Sequence, residues 1–142
     1  MVQAGALAVG RSKPFVGRLV EIHAGLGELL DRAMPDEVAV EGLFEAKNAR
    51  SALVLGHARG VILLAVASRG HAVHEYAPRE VKKAVVGHGN ADKEQVRDMV
   101  RILLGHPSPI RPLDASDALA IAICHAHSRK LRSFGAVPVS AR

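Results

Sequence analysis

Glu41 closes the apolar run Val38-Ala39-Val40-Glu41, and 73 residues later Asp114-Ala115-Ser116-Asp117 opens a second apolar stretch. Aspartates three apart on a helix project from one face, so Asp114 and Asp117 form a pair to which Glu41 can add a third carboxylate. Carboxylates gathered this way repel one another unless a cation neutralises them. Hard oxygen donors without thiolates select Mg²⁺ or Mn²⁺ over zinc. Such ions, held where a strand ends and a helix begins, are the apparatus of phosphodiester hydrolysis. Each half of the pattern also has a plainer reading. An aspartate at a helix N-cap with another at N3 is what capping and the macrodipole favour, and a charged residue often ends a strand at the surface.

Other chemistries lack their residues. Of the eight histidines, His125 and His127 face different sides of a helix, and His71 and His74 fall on opposite faces of a strand. There is no HExxH, GxSxG, P-loop or GxGxxG. The single Cys124 excludes an internal disulfide, leaves too few thiolates for a Cys-based zinc site and suits a reducing cytoplasm.

The elements that must position the carboxylates can be read from periodicity. Residues 4–9 are a weak strand candidate, short and rich in alanine. Phe15, Leu19, Ile22, Leu26, Leu29, Leu30 and Ala33 recur at helical steps behind a cap at Ser12, and Pro35 ends that helix. Glu37–Glu41 is the central strand. From Asn48 to about Ala67 an apolar helix sets Ala52, Gly56 and Gly60 on one face, where another backbone can approach, either from the same chain or across a symmetric dimer seam. Ala72–Tyr76 is a second strand, which completes a parallel βαβ unit. A short basic helix over 79–86 follows, then one capped by Asn90 that stops at Gly105, an extended linker over 106–112, and a last helix from near Asp114 to about Lys130. Residues 133–142 read as a frayed tail.

A chain of 142 residues fits one domain. With 49% hydrophobic but only 3% aromatic residues, its core must be built from Leu, Val, Ile and Ala, which favours an α/β fold of helices packed on a sheet. No apolar run approaches the roughly 20 residues of a membrane span, and Arg11 follows the apolar start, unlike a signal peptide; the reading is a soluble cytoplasmic protein. Charge is uneven. Residues 1–46 carry 4 Lys and Arg against 7 Asp and Glu, whereas residues 47–142 carry 15 against 7. An excess near +8 favours a polyanionic partner through counterion release, although it also serves general solubility.

The order of several segments resembles the RuvC-type Holliday-junction resolvases over nearly the whole chain. They are Glu41-Gly42-Leu43-Phe44, Ala46-Lys47-Asn48, Ser51-Ala52-Leu53, Leu55-Gly56, Ala58-Arg59-Gly60, the segments Val81-Lys82 to Val86-Gly87 and Ala91 to Val96, and Asp114-Ala115-Ser116-Asp117-Ala118-Leu119-Ala120. The resemblance implies an RNase H-like mixed sheet flanked by helices, a single nuclease domain over 1–142, and a homodimer that nicks two strands of four-way junction DNA in recombination and repair. It also implies two Mg²⁺ or Mn²⁺ ions per active site and branch-migration motor proteins as partners. Glu41, Asp114 and Asp117 stand where the family has three of its four metal-binding carboxylates. Phe44 matches an aromatic that contacts bases near the crossover, and Lys82 and Lys93 match basic residues at the DNA, Lys82 offsetting phosphate charge during catalysis. The Ala52-Gly56-Gly60 helix corresponds to the one at the family's dimer seam.

Family members begin with a strand ending in an Asp-Pro-Gly turn, followed by a second strand; here the sequence starts at what resembles the third strand. Asp31 and Asp36, the aspartates before Glu41, lack that context. Three carboxylates balance two divalent ions poorly. Impaired cleavage is therefore expected, the alternatives being a cleavage-incompetent junction-binding homodimer and a fragment that does not fold. Residues 1–142 alone should cut a synthetic four-way junction poorly or not at all with Mg²⁺; robust paired nicking by pure material of verified mass would contradict this.

Overall fold

Apolar residues at three- and four-residue steps build α1, Phe15–Ala33, the first regular element of a computed structural model that describes residues 3–10, 12–42 and 48–134, with side chains to Arg129. Chain contacts divide into two units, residues 6–75 and residues 76–142 with 1–5.

In residues 6–75, α1 is followed by β1 (Glu37–Glu41), α2 (Ala49–Ala67) and all but the last residue of β2 (Ala72–Tyr76). Both strands have the expected bounds and pair as a parallel two-stranded sheet, with α2 as the crossover. The sequence expectation needs correction at the start of the chain. Residues 4–9 form no strand, and α1 is preceded by Pro14, without a side-chain cap from Ser12. Proline suits a helix start because its missing N–H would have had no intrahelical partner. At the other end Met34 turns left-handed (φ 43°), its N–H donating to the Leu30 carbonyl at 2.8 Å, and Pro35 prevents continuation.

Helices α1 and α2 pack together, and Arg69, just past α2, secures the pairing. Its Nε donates to Asp31 Oδ1 at 2.7 Å and its Nη2 to Asp31 Oδ2 at 3.2 Å, a fork that matches the carboxylate. The guanidinium lies so close to Gly27 that a Cβ there would overlap it.

Asn48 caps α2 as expected, Oδ1 accepting from the Ser51 N–H at 2.9 Å. The helix corrects another expectation, because Ala49–Ala67 is long and apolar enough to cross a membrane by length and composition. Only Ala65 and Val66 within it are buried, while Leu53, Val54, Leu55 and Leu64 are exposed. Arg59 in its middle is committed to an ion pair with Glu75 on β2, and Arg50 also interrupts the apolar surface.

In the second unit α3 (Pro78–Val86), α4 (Lys93–Leu103) and α5 (Leu113–Phe134) pack pairwise. Val81 and Val85 of α3, Val96 and Val100 of α4, and Ala115, Ala120 and Cys124 of α5 are buried. The four-residue spacings 81/85, 96/100 and 120/124 put each of those pairs on one helical face. This is the small-aliphatic core the composition requires. Pro78 occupies the first position of α3, and Glu80 Oε2 accepts from the Ala77 N–H at 2.7 Å. The cap of α4 is Asp92 instead of Asn90. Asp92 Oδ1 accepts from the Gln95 N–H at 2.8 Å and Gln95 Oε1 from the Asp92 N–H at 3.0 Å, so two orphan donors are satisfied reciprocally. Helix α5 begins one residue earlier than expected and includes Ser133 and Phe134; the remainder of the expected tail lies outside the described residues.

Two carboxylates in the first unit are held below their usual range: the exposed Asp31 by hydrogen bonds from Arg69, and the partly exposed Glu21 by Lys13 and the Gly10 N–H. A lowered folded-state value contributes stability above the unfolded-state value that is lost as pH falls through the folded one. For Asp31 that window begins near the ordinary value of 3.8 and extends downward. Asp31→Asn should lower the Tm modestly at neutral pH and flatten the decline on acidification below pH 3.8, as read by circular dichroism melts across the acid range. An acid limb as steep as the parent's would exclude the Arg69–Asp31 pair as a contributor.

Candidate functional site

Glu41 is the last residue of β1 and is half-buried, and the chain then leaves the sheet through the buried Gly42. Beneath this strand end the walls of an apolar cleft are formed by Val40, Leu55, Ala58, Ile62 and Leu63, with Glu41 and Arg59 at its polar side. Arg59 Nη1 donates to the carbonyl oxygen of Glu41 and, at 3.4 Å, to that of Gly42. Its Nη2 pairs with Glu75 Oε2 at 2.5 Å, so one side chain from α2 ties the end of β1 to β2. The sequence places Arg59 in the resembling segment Ala58-Arg59-Gly60 but gives it no role. The available signal was an arginine standing between Ala58 and Gly60 in the middle of a largely apolar helix.

Asp114 and Asp117 both lie on α5, as their spacing required. The capping explanation does not hold for them. The helix starts at Leu113, which puts Asp114 at its second position and Asp117 at its fifth, beyond the first turn. Asp114 is exposed and its charge complements the helix dipole. Asp117 is half-exposed beside Arg97 of α4, whose Nε is 3.8 Å from Asp117 Oδ1. That Nε is buried and without a hydrogen bond, so Arg97 orients Asp117 by charge and does not capture it. Arg97 is a second residue that the sequence did not signal.

Lys82 is half-buried on α3, and Lys93 is exposed at the first position of α4. Phe44 lies outside the described residues. The structure thus brings Asp114 and Asp117 onto one helix with Arg97 alongside, and places Lys82 and Lys93 on the two helices packed against it. Glu41 belongs to the other unit, at the carboxyl end of β1.

The donor set consists of carboxylate oxygens, which fits Mg²⁺ or Mn²⁺. The buried Cys124 does not compete, because desolvation pushes its thiol up and away from thiolate character. His125 and His127 are engaged elsewhere, His125 Nδ1 with the Tyr76 hydroxyl at 2.8 Å and His127 Nδ1 with the Ala84 carbonyl at 3.3 Å.

Two solved structures share this architecture. A Thermus thermophilus RuvC structure matches with a TM-score of 0.82 and 38% identity, over 92% of this chain and 78% of that one. Thermus thermophilus RuvC in complex with Holliday junction substrate matches with a TM-score of 0.85 and 38% identity, over 92% and 79%. The fold is accordingly RNase H-like, and the protein is an α/β domain of the nuclease class.

The family model described as "Crossover junction endodeoxyribonuclease RuvC" matches residues 1–125. Among relatives of that name, the one from Chloroflexus aurantiacus is 49% identical over 136 residues, 95% of this chain and 83% of the relative. The one from Citrifermentans bemidjiense is 50% identical over 133 residues, 94% and 80%. The chain belongs to the RuvC family of crossover junction endodeoxyribonucleases, an enzyme family.

Proposed function

We propose that this protein resolves four-way DNA junctions by divalent-metal-dependent phosphodiester hydrolysis in recombination and repair, acting as a single nuclease domain within a homodimer. The observation that carries this reading is the match, at 38% identity over 92% of the chain, to a RuvC whose structure contains Holliday junction substrate. Glu41, Asp114 and Asp117 are the proposed metal ligands. Bound Mg²⁺ or Mn²⁺ would supply an activated water and charge for the departing oxygen. Lys82 counters charge on the phosphate, while Lys93 and Phe44 contact the DNA, Lys93 through phosphate and Phe44 through bases near the crossover. The excess of Lys and Arg over residues 47–142 supports a polyanionic partner, and we extend the family likeness to branch-migration motors.

Cleavage requires every carboxylate, whereas junction binding rests mainly on cationic contacts. In a form of the protein that cuts, Asp117→Asn should abolish Mg²⁺-dependent cutting of a synthetic junction and leave junction affinity largely intact. Unchanged turnover would remove Asp117 from the site. A second reading is a homodimer that binds junctions without cutting. Tight junction-selective binding by the 142 residues, with no nicking, is its signature.

Self-association is supported by α2. A Cβ added at Gly56 or Gly60 meets no atom within 4 Å, and these glycines lie with Ala52, Leu53, His57, Val61 and Leu64 along one open groove. Of the two occupants weighed from sequence for the Ala52-Gly56-Gly60 face, this openness favours a second copy over packing within the chain. Gly60→Leu should leave the monomer's Tm unchanged or raised, because leucine is the better helix former by several tenths of a kcal/mol. The same change should weaken dimerisation roughly tenfold or more in sedimentation equilibrium, since overpacking a close contact typically costs 1–3 kcal/mol. A Gly60→Leu chain that dimerises like the parent would take the seam away from this face.

A further inference from the structure

The ion pair that Arg59 makes is with Glu75, yet its other guanidinium nitrogen is directed to the backbone at the very residue proposed to hold metal. We infer that Arg59 is a positioning residue for Glu41, fixing the strand end from which that carboxylate projects, and that Glu75 holds Arg59 in this task. The inference rests on the metal-site reading above and names how the site's first ligand is oriented.

A strand's last residue has lost the ladder on one side, so its backbone frays unless its carbonyl finds a donor. Here two successive carbonyls, those of Glu41 and Gly42, converge on one guanidinium nitrogen. The planar fork leaves the second nitrogen aimed at a carboxylate on the neighbouring strand, at 2.5 Å. The Arg59 side chain is 18% exposed, which shields these contacts from water, while that of Glu75 is 50% exposed. A lysine has a single ammonium and cannot span the two carbonyls and the carboxylate with the same geometry. The pairing also settles where the arginine's charge goes. With Glu75 as its counterion, Arg59 stabilises the peptide of Glu41 without neutralising the Glu41 carboxylate, which stays available to a cation. Removing the Glu75 charge would free the guanidinium to turn toward Glu41 itself.

The test uses the ¹⁵N-labelled 142-residue chain titrated with MnCl₂, reading paramagnetic broadening of the Glu41 amide resonance beside a thermal melt. Arg59→Lys should still melt cooperatively while the Mn²⁺ concentration for half-broadening rises roughly tenfold, the scale on which groups behind a metal ligand act. Glu75→Gln should shift it in the same direction. If Arg59→Lys fails to fold, Glu75→Gln decides: weakened Mn²⁺ binding supports the positioning role, and parent-like binding overturns it. A control separates the two layers of the argument. If Glu41→Gln abolishes the broadening but a folded Arg59→Lys binds as the parent does, the role of Arg59 is overturned and the metal site stands. If Glu41→Gln broadens like the parent, the metal reading itself falls and takes the positioning role with it.

Discussion

The guanidinium of Arg59 joins β1, α2 and β2 by polar contacts, and the order of the first unit depends on that junction. A two-stranded sheet has little ladder of its own and gains its stability from what packs on it. Helix α2 packs against α1, buries Ala65 and Val66 near its end, and makes the polar tie to the strands through Arg59 nearer its middle. The helix is thus fixed at two points along its length. Side chains that serve neither point, Leu53, Val54 and Leu64 among them, face outward.

The second unit solves a different problem. Its three helices bury small side chains, which permits close packing, and their starts carry charge in a consistent sense. Glu80 and Asp92 satisfy N–H groups at the beginnings of α3 and α4, and Asp114 stands in the first turn of α5. An acidic residue at a helix start needs no ligand to justify it. Asp117 differs, because it lies past the reach of the terminal N–H groups and has Arg97 opposite at a distance too long for a hydrogen bond. Asp117 is thus a carboxylate without a capping role, in a long ion pair with Arg97 at 3.8 Å.

Much of the framework was legible in the sequence because it follows from period and punctuation. The strands Glu37–Glu41 and Ala72–Tyr76 and the Asn48 cap of α2 are located by alternation and by a residue whose side chain accepts from the turn. Errors arose where more than one residue could play the same local part. Asn90 and Asp92 are both good caps, and Asp92 prevails because Gln95 sits three positions later to reciprocate. Ser12 lost to a proline that already fixes the backbone angle. Residues 4–9 have strand-like hydropathy but no partner strand among the described residues. For the site, the carboxylates were visible as spacing. The roles of Arg59 and Arg97 were not, since they depend on contacts 18 and 20 residues away that no local pattern encodes.

The crowding of Arg69 against Gly27 has a bearing on how this scaffold can change over time. Helix α1 accepts a poor helix former in its interior because the space above it is occupied by a guanidinium engaged with Asp31. Positions 27, 31 and 69 therefore meet in one packing contact. Shortening the arginine opens the space over position 27 for an alanine, whereas with Arg69 in place an alanine there requires the guanidinium to shift within its fork on Asp31. Covariation among these three, well away from any carboxylate proposed for catalysis, would record the history of a packing contact instead of a chemical one.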